Sequence, residues 1–160
     1  MFYSEDVAKL LLRISVGVMI LFHGFNKVIS GISGVRYLTT NAGLPEFFAY
    51  GVFIGELVFP VLIILGLYAR VASIGVAFTM LMAIFLAYGS SLFELGKHGA
   101  PVFELPFLYF IMSIVIFLQG SGKYAVNSKW FYKCLTFIFE LRDQAIKIII
   151  AITPIAGIIE

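Results

Sequence analysis

The stretch from Leu10 to Val28, LLLRISVGVMILFHGFNKV, is long and apolar enough to cross a bilayer as a helix, yet it carries Arg13, His23 and Lys27. At about 100° per residue, Arg13, Gly17, Ile20, Gly24 and Lys27 share a stripe no wider than about 80°, with His23 about 40° beyond its edge. Ionisable groups inside a spanning helix cost several kcal/mol unless they meet partners or water, so this face is expected to point into a helix bundle. Its glycines would let a second helix approach closely. The alternative is that Arg13 and Lys27 each reach along the helix to the nearest interface.

The rest of the chain agrees with a membrane setting. Of its 160 residues 61% are hydrophobic and 12% charged, about half the charged share of a soluble domain, and the mean hydropathy is +1.04. A net charge of +2 with dispersed basic residues gives no footprint for nucleic acid. Cys134 is the one cysteine, so an intrachain disulfide or CxxC pair is excluded. MFYSED lacks a basic leader region and no small-residue cleavage site follows the apolar run, so the first span is expected to be retained.

Residues 29–46, rich in Gly, Ser, Thr and Asn, read as an extramembrane loop closed by Pro45 and Glu46. A second span is expected over Phe47–Leu67, with Gly51 and Gly55 at small-xxx-small spacing, then Glu56 and Pro60. Pro60 has no N–H for the carbonyl of Glu56, so the helix should kink beside the one carboxylate in mid-span. Gly66-Leu-Tyr-Ala-Arg70 reads as a tight turn, Val71–Phe93 as a third span, and Phe103 or Pro106 to Gln119 as a short fourth. Hydroxyls such as Ser73 and Thr79 should bond back to their own helix.

Beyond Ser128 the pattern changes. Lys129, Lys133, Thr136, Glu140, Asp143, Gln144 and Lys147 share a narrow polar stripe and aromatic and aliphatic residues fill the remainder, the mark of an amphipathic helix lying in the interface. The expected fold is all-α: a four-transmembrane-helix bundle over residues 1–128, followed by an amphipathic C-terminal helix over 129–160. With four spans, Lys9, Arg13, Arg70, Lys123, Lys129, Lys133, Arg142 and Lys147 lie on one side and Lys27, Arg36 and Lys97 on the other. Basic residues favour the cytoplasm, so both termini belong there.

Counted from the outer ends at about 1.5 Å per residue, Glu56 lies roughly 14 Å deep, His23 roughly 9 Å and Arg13 roughly 24 Å. His23 is therefore the expected partner of Glu56, with Arg13 second. Glu94, His98 and Glu104 sit on a connection facing the same side and form a secondary polar cluster. No HxxH, HExxH or ExxH spacing supports a metal site. His23 with a loop histidine is a poor haem pair, and no nucleophile elbow is present. A carboxylate and an imidazole inside an apolar bundle can hold the polar head of a lipidic ligand such as a quinone and exchange protons with it. The same groups can equally be interhelical hydrogen-bonding glue.

LLLRISVGVMILFHGFNKV, then GELVFPVLIILGLYAR, then GSGKYAVN, in this order over residues 8–127, resemble the DoxX family of small four-helix bacterial and archaeal membrane proteins. By resemblance Arg13, His23, Gly24, Lys27, Glu56, Gly66, Arg70, Gly120, Gly122 and Tyr124 take motif positions. Lys123 and Asn127 depart from the family's usual Arg and Asp. The resemblance implies a multi-pass protein of the cytoplasmic membrane, associated with quinone-linked or thiol-linked oxidoreductase systems. The expected site then has His23 and Glu56 as a proton-exchanging pair, with Arg13, Lys27 and Gly24 binding the ligand. A quinone is the cofactor this points to, although the residues alone name none. Partners, besides the lipid bilayer, would be oxidoreductase subunits or a second copy of the chain. A non-enzymatic assembly module docking through its tail, or less readily a small-solute transporter, are the rival readings.

Overall fold

The computed structural model describes residues 2–89, 91–92, 94–96, 99–126, 140, 142 and 144. It divides into two compact units, Met1–Ala125 and Val126–Glu160. In the second, Glu140, Arg142 and Gln144 have helical backbone and are exposed. The rest of the expected amphipathic helix lies outside the described residues.

The first unit is helical throughout its long elements. They are α1 (Phe2–Ser30), α2 (Ser33–Asn41), α3 (Glu46–Leu65), α4 (Ala69–Tyr88) and α5 (Glu104–Gln119). Among the described residues three segments, Glu5–Ser30, Glu46–Leu65 and Ala69–Tyr88, are long and apolar enough to cross a membrane, and α5 is a shorter apolar helix. Contacts run α1 to α3, α3 to α4, α4 to α5 and α5 back to α1, so the four longer helices form a ring in chain order. Val16, Ile20, Ile63, Ala72, Val76, Met80, Tyr109 and Ile116 fill its centre. Val71, Phe78 and Phe85, at heptad spacing on α4, are exposed on the outside, where a lipid-facing helix keeps its large apolar groups.

α2 occupies what reads from sequence as loop. Gly34, Thr39, Thr40 and Asn41 are poor helix formers, which hides it. The threonine hydroxyls offset this by bonding back, Thr39 to Val35 O at 2.7 Å and Thr40 to Arg36 O at 3.0 Å. In the same way Ser73 bonds Arg70 O, Thr79 bonds Gly75 O and Ser113 bonds Tyr109 O. Their polarity is spent inside the helices that carry them.

Helix α3 is not uniform. It opens as a 3₁₀ turn over Glu46–Tyr50, becomes α-helical, widens to a π turn over Ile54–Val58, and resumes as α-helix over Phe59–Leu65. Pro60 is the cause: the carbonyl of Glu56 cannot bond to it, and the Phe59 N–H instead reaches five residues back to Ile54 O. The helix ends at Gly66, φ +75°, where Gly66 N–H bonds Ile63 O and Leu67 N–H bonds Leu62 O. This double closure turns the chain at once into α4.

α1 lies against the disturbed stretch of α3. Arg13, Val16, Gly17, Ile20 and Gly24 are all buried. A methyl on Gly24 would fall 2.5 Å from the carbonyl oxygen of Glu56 and 2.6 Å from Leu57 Cδ2, so only glycine fits this crossing. Of the expected α3 pair, Gly55 packs on Thr79, whereas Gly51 has nothing within 4 Å of where a side chain would begin. Gly24→Ala should therefore cost about 1–3 kcal/mol, because the obstacle is backbone. Gly51→Ala, at φ −57°, should gain about 0.5–1 kcal/mol. Thermal unfolding in detergent of both variants beside the wild type checks the opposite signs.

Candidate functional site

At one end of the α1–α3 crossing, the Lys27 ammonium donates to both carboxylate oxygens of Glu56 at 2.5 Å. The Glu56 side chain is 7% exposed and that of Lys27 26%. Each residue is placed by a local feature already described. Lys27 stands one turn after Gly24 on the same face of α1, and Glu56 projects from the π turn whose carbonyl Gly24 covers. Backbone contact thus sets the two helices at one level. It leaves the long lysine side chain to lie along the bundle and meet the carboxylate. A charge-assisted bond to both oxygens satisfies the costliest acid in the first unit.

His23 does not take this place. It is exposed, and its ring meets the edge of Tyr109 on α5 at a centroid distance of 6.1 Å. The depth count that favours His23 measures along each helix from its own outer end. The Gly24–Glu56 contact fixes a different vertical offset, at which Lys27 reaches the carboxylate first. His23 is four residues before Lys27, so it lies one turn away along α1.

Arg13 is not part of this cluster. It stands 14 residues, about 21 Å, further down α1 from Lys27. There it is 1% exposed and its Nη2 donates to the carbonyl of Tyr124 at 2.8 Å. Beside it lie Gly66 and Ala125; a side chain on residue 66 would collide with Arg13 Nη1. The expected single site of Arg13, Gly24, Lys27 and Glu56 is therefore two groups at opposite ends of the bundle. Of the secondary cluster, Glu94 and Glu104 are exposed and have no ion pair among the described residues, and His98 lies outside the described residues.

One polar group escaped the sequence reading. Arg36 on α2 donates to the Tyr50 hydroxyl at 2.6 Å, pairs with Glu46 at 3.3 Å, and has its guanidinium 5.4 Å from the Tyr50 ring centre. All three residues are exposed, which limits the pair to about 1 kcal/mol or less. Pro45, which begins the turn bringing them together, is the only local signal in the sequence.

Fold and site together define a small helical bundle of membrane type, cross-braced by a half-buried lysine on a buried glutamate and by a buried arginine. The DoxX family profile matches residues 8–89, the part that holds Arg13, Gly24, Lys27, Glu56 and Gly66. The chain belongs to the DoxX family. A Bacillus subtilis (strain 168) protein named "Putative oxidoreductase CatD" is 31% identical over 127 residues, covering 78% of this chain and 87% of that protein. A Haemophilus influenzae protein, named only "Uncharacterized protein", is 31% identical over 128 residues, covering 76% of this chain and 90% of its own. No solved structure matches.

Removing one member of the buried pair strands the other. Lys27→Met and Glu56→Leu should each lower stability by about 2–4 kcal/mol, and the double variant should recover a large part of that loss. A double-mutant cycle of detergent unfolding checks this. Additive losses would mean that the two side chains do not interact.

Proposed function

We propose that this DoxX protein serves a membrane oxidoreductase system by holding the polar head of a quinone-like ligand at the Lys27–Glu56 end of the bundle. The observation that carries the reading is an ammonium and a carboxylate, paired and mostly shielded, between two helices of the bundle. A quinone head needs a hydrogen-bond donor for its carbonyl and a route for protons, and Lys27 and Glu56 supply these two functions. His23, exposed one turn away beside Tyr109, would exchange protons with water at the rim. Electrons would come from a partner oxidoreductase subunit, since this chain's paired residues are acid–base groups. The name carried by the Bacillus relative supports the oxidoreductase association.

Four spans in a bacterial or archaeal cytoplasmic membrane, with both termini inside, complete the proposal. On that orientation the Lys27–Glu56 end faces away from the cytoplasm. The excess of basic residues on the opposite side supports it.

Quinone extraction and titration of the purified full-length protein test the site. The expected result is a co-purifying or saturably bound quinone whose affinity falls about tenfold or more in Glu56→Gln. Absence of any quinone binding, or equal affinity in the variant, would overturn it.

A further inference from the structure

We propose that the outer flank of α1 is a contact surface for a second copy of this chain, the two α1 helices lying parallel with Asn26 of one bonded to Asn26 of the other. The long helices differ in what they expose. Over residues 51–65 of α3, 71–88 of α4 and 105–118 of α5, every exposed side chain is apolar, Val58, Phe78 and Ile111 among them. At the start of α3, Glu46 and Tyr50 are exposed but already hold Arg36. Helix α1 alone exposes polar groups within its span: Ser15, His23 and Asn26. Lipid tails give such groups no hydrogen bond. The His23 ring meets Tyr109 of its own bundle. Asn26 accepts from Ser30 Oγ at 3.3 Å through its side-chain oxygen, and its amide nitrogen has no partner among the described residues. Ser15 stands about 22 Å before Ser30, in mid-span. Its hydroxyl makes no hydrogen bond among the described residues, although Ser73, Thr79 and Ser113 all bond back to their own helices.

The spacing of these residues points to the partner. Ser15, Met19, Phe22, Asn26 and Ile29 recur at intervals of four, three, four and three residues, and all five are exposed. A seam of that period lets two helices pack side by side along their length with a slight left-handed twist. It lies on the side of α1 away from the buried Arg13, Gly17 and Gly24, so bundle and contact use different surfaces. Asn26 is the one amide in this seam, and a single polar residue in an apolar seam fixes the register of a pair. Copies of one membrane protein insert in the same direction, so a two-fold axis along the membrane normal brings identical residues to one level. An amide carries both donor and acceptor and satisfies its own copy, and a pair of Ser15 hydroxyls does the same. An unlike helix would need matching groups at two levels about 16 Å apart.

Disulfide trapping in the membranes of the expressing cell tests this, with the full-length chain and its one cysteine, Cys134, changed to serine. Ser15→Cys is compared with Ile14→Cys, a neighbour exposed at the same depth but about 100° round the helix. Mild oxidation should convert most of the Ser15→Cys protein, and little of the Ile14→Cys protein, to a covalent species of twice the chain mass. Energy transfer between labelled copies, followed on dilution in detergent, reads the monomer–dimer midpoint. Asn26→Leu should move that midpoint roughly three- to tenfold toward monomer. Equal trapping of the two cysteine variants, trapping of Ser15→Cys to a different protein, or an Asn26→Leu midpoint equal to that of the wild type overturns the surface.

Discussion

The bundle depends on how closely α1 can approach α3. Between helices in lipid there is no hydrophobic gain to drive association, because the tails are as apolar as the side chains they would replace. What remains is close packing and the satisfaction of polar groups, and both meet at Gly24. The backbone there rests on the carbonyl of Glu56, in the turn where Pro60 denies that oxygen its usual partner. One turn later Lys27 reaches the Glu56 side chain. A larger residue at 24 would lift α1 off the π turn and lengthen the ion pair with it, so packing and electrostatics are coupled through one missing methyl.

Much of this was legible before any coordinates. The α1 stripe follows from period alone, since Arg13, Gly17, Ile20 and Gly24 recur on one face and all four are buried. The disturbance around Glu56 follows from the chemistry of proline, and the inward bonding of Ser73 and Thr79 follows from their being short hydroxyls in a dry helix. The partner of Glu56 was not legible. Periodicity says which face a residue is on and how far along its own helix it sits, but not how two helices are offset along the bundle axis. That offset comes from Gly24 meeting a carbonyl, a contact between backbones that no side-chain pattern encodes. Helix α2 was hidden for a different reason: its threonines lower local propensity while their hydroxyls restore the balance through bonds visible only in three dimensions.

The same offset explains why the polar residues of α1 do not converge. Arg13 and Lys27 share a face but are about 21 Å apart, longer than either side chain can bridge. Each therefore serves a different junction. Lys27 ties α1 to α3, and Arg13 ties α1 to the segment after α5 through the Tyr124 carbonyl. Each junction is also built around a glycine, Gly24 under the lysine pair and Gly66 beside the guanidinium. The two differ in charge. Lys27 meets a carboxylate and is neutralised within the bundle, whereas Arg13 meets the oxygen of a peptide group and keeps a full positive charge.

This asymmetry gives the two ends different capacities. At the Lys27–Glu56 end the charges cancel, so a neutral polar head can exchange hydrogen bonds with either member without leaving an ion uncompensated. At the Arg13 end no carboxylate among the described residues cancels the charge. Lys9 and Arg70 lie at the same end, where Asp6 accepts the backbone N–H of Lys123. A protein needing α1 only as structural glue could hold it with glycines and neutral hydroxyls. A guanidinium whose Nε and Nη1 have no hydrogen-bond partner among the described residues is a costlier means to that end.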